Sequence, residues 1–436
     1  MFKNHREIKF SNLSLILLGI TICLWSTTWE LFNIIKSSDL FYLSIILISI
    51  GIFLFHFDLR QIQISIIYLA ILFLSINTLY FLVGINEYIS KGYNIFHIIE
   101  YFIKQNISIV FCLFFSQYLF NEENIDKFIK TVTYTYIIIF SILICVYLFI
   151  YKSDYIGTRI DFDLGRNRTG KNTLGVFITF IFPFILTYIT KSKSFLIGSI
   201  FLVLYFIMIY KIKSSTIVIV SLFQLALYSY IFFRKFFLRL LLIIFCLVII
   251  IPNLIQQEFK KSSNNFDYDD EQIYVVTKDI SSIFNNYLIK ALINKVDNDF
   301  LKGELDDKPF IILDSHRGKL LYSGLQKVKN DFFVGSGLQS FRIRDDNFGS
   351  LTETHNTYLS ILVDTGILGL ILYLFFYFFI LIRILKKKKY LKLMDYDLAS
   401  IIYILSLLLA FNFINFEYTL SIWLLNGICL TRAFIK

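Results

Sequence analysis

Apolar runs of about 20 residues, each closed by a short polar connector, recur along this chain, and that length crosses roughly 30 Å of hydrocarbon. The pattern predicts about twelve transmembrane helices, over 11–33, 39–56, 62–83, 103–120, 131–151, 173–190, 195–211, 215–233, 236–254, 355–385, 397–415 and 418–435. The fourth is the weakest, its short apolar core being flanked by Glu100 and Lys104. Two connectors break the rhythm: one over 152–172, and one of about 100 residues over 255–354. The long one is polar, opens S-S-N-N-F-D-Y-D-D-E, and continues into amphipathic stretches such as I-S-S-I-F-N-N-Y-L-I-K. The expected fold is an all-α polytopic membrane protein. Residues 1–254 supply nine helices, 255–354 a large outer loop with short helices, and 355–436 the last three helices. No internal repeat is evident, which counts against the inverted-repeat plan of transporters.

Composition agrees with that layout. Hydrophobic residues make up 57% of the 436 and aromatic residues 18%, far above a soluble domain. The net charge of +10 does not mark a nucleic-acid binder, because the cations sit in connectors. With the N-terminus inside, Arg60, Lys127, Lys130, Lys191, Lys193, Arg234, Lys235 and the K-K-K-K run at 386–389 all fall on the cytoplasmic side. Both termini are then cytoplasmic, the first span is read as uncleaved, and the loops 152–172 and 255–354 lie outside. Lys211 and Lys213 run against the rule. The five cysteines, Cys23, Cys112, Cys145, Cys246 and Cys429, lie within apolar runs, without metal-ligand spacing, and read as small hydrophobes.

Three polar constellations fall on the outer side. L-G-R-N-R-T-G-K-N-T-L-G, residues 164–175, crowds Arg166, Arg168 and Lys171 at the entrance of the sixth span. Such a cluster reads either as a solvated basic loop or as an anion site, since arginine matches phosphate oxygens bidentately. S-H-R-G-K-L-L-Y-S-G-L-Q-K-V-K-N-D-F-F-V-G-S-G-L-Q-S-F, residues 315–341, predicts a helix with Leu320, Leu321, Leu325 and Val328 on one face. That helix ends near Asn330, followed by a flexible G-S-G turn, with Arg317 and Lys319 at its start. T-E-T-H-N-T-Y-L-S-I-L-V-D-T-G, residues 352–366, opens the tenth span. Thr354 and Asn356 are suitable N-caps, and His355, Leu359, Leu362, Gly366 and Gly369 share a face on which another helix can approach closely. Asp364, some ~13 Å deeper than His355, must face protein or water. His355 reads as an interfacial cap residue or as a catalyst. The loops show no carboxylate cluster of the kind that holds a divalent metal; F-D-Y-D-D-E, 266–271, is the nearest approach.

These motifs together resemble the O-antigen polymerase/O-antigen ligase family. The resemblance rests on Arg317-Gly-Lys-Leu-Leu, G-S-G-L-Q-S-F, His355-Asn356-Thr-Tyr-Leu with Gly366 and Gly369, and R-N-R-T-G-K-N-T-L-G, across roughly residues 160–385. Two departures stand out. The family's Ser-Arg pair near the eighth span is K-I-K-S-S-T here, 211–216, where Lys211 and Lys213 offer the charge instead. The proline that commonly precedes the glycines is absent from N-D-F-F-V-G-S-G.

The resemblance implies a GT-C-like glycosyltransferase working without metal or cofactor in the bacterial inner membrane. Its donor would be a glycan on undecaprenyl diphosphate and its acceptor a sugar hydroxyl, with a flippase and a chain-length regulator as partner proteins. A polymerase passes the glycan to another lipid-linked repeat unit; a ligase passes it to lipid A–core, and related enzymes to protein. The leaving diphosphate gathers negative charge, which Arg317 and Arg168 would hold, with Arg166, Lys171, Asn172 and Lys319 in support. His355 would orient or deprotonate the acceptor, Glu353 being the rival base and Asn356 fixing the helix start. Direct attack would invert the anomeric configuration. A lipid-linked sugar transporter is the reading from another class.

Overall fold

The computed structural model describes residues 5–26, 30–31, 35–58, 62–90, 95–150, 170–192, 195–212, 215–232, 324–325, 327–329, 331–338, 340, 356–387, 396–412 and 420–434. Apart from a two-residue antiparallel ribbon, β1 (Glu30–Leu31) with β2 (Ile35–Lys36), the regular elements described are helices. They are α1 (His5–Ser26), α2 (Ser37–Phe55), α3 (Ile64–Ser90), α4 (Ile95–Val110), α5 (Ser116–Leu119), α6 (Glu122–Ile150), α7 (Gly170–Ser192), α8 (Phe195–Ile212) and α9 (Ser215–Phe232). After the long connector come α10 (Thr357–Lys387), α11 (Tyr396–Ala410) and α12 (Leu420–Phe434). A π turn, Phe111–Phe115, joins α4 to α5. The chain forms two compact units. Met1–Gln224 with His316–Lys436 is one; of the other, Leu225–Ser315, the described part is the end of α9.

Four described stretches are long and apolar enough to cross a membrane by length and composition: Ile64–Asn86, Ile98–Leu119, Gly175–Ser192 and Thr357–Lys387. Shorter apolar helices include Asn12–Leu24, Asp39–Phe55, Leu196–Ile207, Thr216–Tyr228 and Tyr396–Ala410. The expected span 236–254 lies outside the described residues, as does most of both outer loops. The first helix is a correction: it stops at Ser26, whereas hydropathy carried it to 33. Ser26, Thr27 and Thr28 explain the difference, since such side chains compete for backbone hydrogen bonds and favour helix ends.

Aromatic rings fill the core between α3, α10 and α12. Phe73 meets Phe376 and Trp423 edge-on at 5.7 and 5.9 Å between centroids, geometry that suits the ring quadrupoles. Beside them a polar thread crosses the apolar interior: Tyr403 lies 2.9 Å from Asn426 Oδ1, and Asn426 Nδ2 donates to Tyr377 at 3.0 Å. Each amide and hydroxyl here finds a partner, as burial demands. Cys23, Cys112 and Cys429 are buried and not in disulfides, in keeping with their reading as small hydrophobes.

Charges gather at one end of this unit. Arg432 Nε donates to Asp397 Oδ1 at 2.6 Å with both side chains buried, and Lys387 donates to the Arg432 carbonyl at 2.7 Å. Next to them, Asp126 accepts from Tyr396 at 2.5 Å and pairs with Lys191 at 3.1 Å. These groups tie together the start of α6, the ends of α7, α10 and α12, and the start of α11. Removing one member of a buried pair leaves an uncompensated charge, which costs about 3–5 kcal/mol. Asp397→Ala should therefore lower thermal stability of the detergent-solubilised protein sharply, while Asp397→Ala combined with Arg432→Met recovers much of it. An unchanged melting temperature for the single variant would show that the pair does not hold the helices.

Candidate active site

The tenth expected span begins where the sequence placed it. Asn356 Oδ1 accepts the Leu359 N–H at 2.9 Å, satisfying one of the orphan donors of the first turn. Two further bonds lock this start onto the end of α11: the Thr357 N–H donates to the Phe411 carbonyl at 2.8 Å, and the Tyr358 hydroxyl to the Leu408 carbonyl at 2.6 Å. Thr357 is fully buried. The two helix ends thus satisfy each other's unpaired backbone groups, and the start of α10 from Asn356 on is tied to the end of α11.

Ten residues further on, α10 is interrupted. Gly366 has φ 63° and ψ −170°, a region essentially reserved for glycine. In an unbroken helix the carbonyls of Val363, Asp364 and Thr365 would accept from Ile367, Leu368 and Gly369. Here the Val363 carbonyl accepts from the Ser336 N–H at 2.8 Å and the Asp364 carbonyl from the Gly337 N–H at 3.0 Å. The Thr365 carbonyl accepts from the Tyr80 hydroxyl at 2.5 Å, and the Ile367 N–H turns to the Phe332 carbonyl at 2.9 Å. The G-S-G turn is inserted into the helix ladder, and every carbonyl released by the break is taken up again. A kink of this kind has a cause: the glycine permits it and the inserted backbone stabilises it.

The turn is also held from the α3 side. The Leu338 N–H donates to the Tyr80 carbonyl at 2.9 Å, and Gly337, at φ 96°, lies so close to Gly84 that a Cβ on either would strike the other segment's backbone. Within the segment, the Gly335 N–H donates to the Asp331 carbonyl at 2.8 Å, and the Ser336 hydroxyl to Asp331 Oδ2 at 2.9 Å. Lys327 Nζ donates to the Ser340 carbonyl at 2.6 Å, and the Ser340 hydroxyl to Asp364 Oδ1 at 3.0 Å. Asp364 is 1% exposed, so of the two surroundings expected for it, protein or water, it has protein, and Ser340 is one of its partners.

Three expectations are corrected here. The G-S-G turn is pinned by backbone bonds to two helices, so it is not flexible. What approaches Gly366 is this turn and not a helix, and a Cβ on Gly369 would meet the side chain of Thr365 on its own helix. In the short helical stretch before the turn, Val328 packs against Leu359 and Val363, but Leu325 is exposed and does not share that face. Leu320 and Leu321 lie outside the described residues.

Of the site residues read from sequence, the structure describes Asn356 fully, and the backbones of Lys171 and Asn172 in the first turn of α7. His355, Arg317, Arg168, Arg166, Lys319 and Glu353 lie outside the described residues. What the fold does bring together is the G-S-G turn that follows Arg317 in the chain and the helix that follows His355. Tyr80, Gly84, Ser340 and Thr365 complete that junction and were not singled out from sequence. Nothing around Gly84 in F-L-V-G-I-N marks it as a contact, because its partner is more than 250 residues away.

Residues 178–374 match the O-antigen ligase family, a stretch that contains Arg317, Lys319, Glu353, His355 and Asn356 together with the turn and Gly366. The match begins after the R-N-R-T-G-K-N stretch. No curated protein matches the chain.

Proposed function

From the match of residues 178–374 to the O-antigen ligase family, we propose that the chain is a membrane glycosyltransferase joining lipid-linked glycans to a sugar hydroxyl. The observation that carries the reading is the capped start of α10 and its locked junction with the G-S-G turn inside the matched region. Catalysis by positioning needs reacting groups held on rigid elements, and the turn that follows Arg317 in the chain and the helix that follows His355 are fixed to each other there. Arg317 and Arg168 hold the donor diphosphate, Arg166, Lys171, Asn172 and Lys319 support them, and His355 or Glu353 takes the acceptor proton. Charge on the departing undecaprenyl diphosphate is neutralised by cations already in place. Inversion at the anomeric carbon follows from direct attack, without metal.

The proposed layout is about twelve spans of GT-C-like type in the bacterial inner membrane, both termini cytoplasmic and the site on the outer side. The cluster of Lys191, Asp126, Asp397, Arg432 and Lys387 supports that alternation, because it joins helix ends assigned to one side. Between acceptors we favour a polymerase, which adds repeat units to an O-antigen or capsule chain. Transfer to lipid A–core or to protein is the alternative, in line with the family's description. A flippase and a chain-length regulator are the partner proteins this role calls for.

Purified protein in proteoliposomes, given undecaprenyl-diphosphate-linked oligosaccharide alone, should yield longer glycans and free carrier diphosphate. Free carrier only after lipid A–core is added would establish a ligase. Translocation of the donor with no bond broken would replace the enzyme by a transporter.

A further inference from the structure

The turn inserted into α10 carries a side-chain set that its backbone role does not require. Phe332, Phe333 and Val334, immediately before Gly335, are 43%, 68% and 51% exposed, and the two rings meet each other edge-on at 5.4 Å. Three consecutive exposed apolar residues on a segment otherwise fixed by hydrogen bonds need a partner.

Depth along two helices indicates which. On α10 the last apolar position before Arg383 is Ile382, and Arg383 lies 5.4 and 5.1 Å from the rings of Phe379 and Phe434, as a cation at a hydrocarbon edge does. Counting about 20 residues back from there, the length that fills the hydrocarbon layer, reaches Val363. On α3 the same count of about 20 residues from its first residue, Ile64, reaches Val83. The turn bonds to Val363 and Asp364 on α10 and lies against Gly84 on α3. Two independent counts therefore place it at the same hydrocarbon boundary, the one opposite Lys387.

The surface of α10 adds a second line. Leu368, Ile371, Phe375, Phe378, Ile382 and Leu385 form an exposed stripe with helical spacing, the face a spanning helix turns to lipid. On the other side of the Gly366 break, where the helical register is interrupted, Asp364, Ile361 and Thr357 are buried. At Asp364 the cover is the turn itself, through Gly337 and Ser340. The turn thus covers the helix at that level, and its outward residues are the three apolar ones.

We propose that Phe332, Phe333 and Val334 insert among the acyl chains just below the headgroups and seat the turn in the bilayer. The partner is membrane lipid. The Ser336, Gly337 and Leu338 amides and the Phe332 carbonyl find their partners on α10 and α3, as backbone at this depth requires, while the apolar side chains face hydrocarbon. The inference rests on the membrane reading of the chain and not on its catalytic chemistry, so its test needs no glycan.

The test is a photo-crosslinking amino acid, benzoylphenylalanine, in place of Phe333 in native membranes, with the same residue at Leu368 as the lipid-facing reference. Adducts to phospholipid at both positions, in comparable yield by mass spectrometry, are the expected result. Lipid adducts at Leu368 with none at Phe333 would overturn the proposal, as would capture of a second copy or of another polypeptide by Phe333. A second measurement covers poor incorporation: Phe333→Trp fluorescence in liposomes should gain a component quenched by lipids spin-labelled near the headgroup. A new component quenched instead by aqueous iodide would equally overturn it.

Discussion

Replacing His355 by alanine should eliminate glycan transfer while the protein still accumulates in the membrane, because proton acceptance is worth roughly 10²–10⁴-fold. The prediction follows from chemistry as much as from resemblance. A hydroxyl attacking an anomeric carbon must shed its proton, and imidazole titrates close to physiological pH. His355→Gln tests the same role differently: it retains a hydrogen-bonding side chain but cannot take a proton. If orientation alone matters, Gln should rescue part of the rate that Ala loses. If Glu353 is the base, Glu353→Gln should be the silent enzyme and His355→Ala the active one. At Arg317 the informative change is to lysine, which preserves charge but loses the planar fork. Loss of transfer in Arg317→Lys indicates bidentate contact with the diphosphate; full transfer reduces the group to an electrostatic patch.

The parts of this picture that the sequence disclosed share one property: their cause is local. Asn356 could be read as a cap because its partner, the Leu359 N–H, is three residues away. That Asp364 turns away from lipid followed from the cost of a carboxylate inside an apolar run, and needs no knowledge of what surrounds it; that protein and not water covers it did not. The apolar runs gave the helices for the same reason. The junction was hidden because its causes are distant. Gly84 and Gly337 need each other, and neither segment alone signals the meeting. Gly366 could be noticed as a small residue, and small residues in spans usually admit another helix. Its actual φ of 63° is fixed by a turn thirty residues upstream in the chain. Leu325 illustrates the remaining error: periodicity proposes a face, but a helical stretch this short packs by its end, and Val328 alone reaches the cluster with Leu359 and Val363.

Because that junction is built on backbone, it is also where a single methyl group should have the largest effect outside the reacting residues. A Cβ on residue 366 is opposed twice. The backbone region is strained by about 1–3 kcal/mol for any other residue, and the atom would run into the Phe333 carbonyl. The helix has an easy escape, since straightening lets Val363 and Asp364 recover ordinary helical partners. Gly366→Ala should therefore keep its stability but expel the turn, leaving Ser336 and Gly337 without their acceptors on α10. A misplacement of about 1 Å between reacting groups costs on the order of 10²-fold in rate, and transfer should fall by at least that much. Hydrogen exchange gives an independent reading: the amides of Ser336 and Gly337 should lose protection in Gly366→Ala while those within α10 do not. Gly337→Ala attacks the same junction from the α3 side, where it would meet Gly84, and should reproduce the loss of transfer. Ile371→Ala, one turn along on the lipid-facing stripe, should change neither reading. Parental transfer rates in both glycine variants would mean that the inserted turn is merely a way of closing the helix bundle, and that the arginine segment and the histidine helix act without being held to each other.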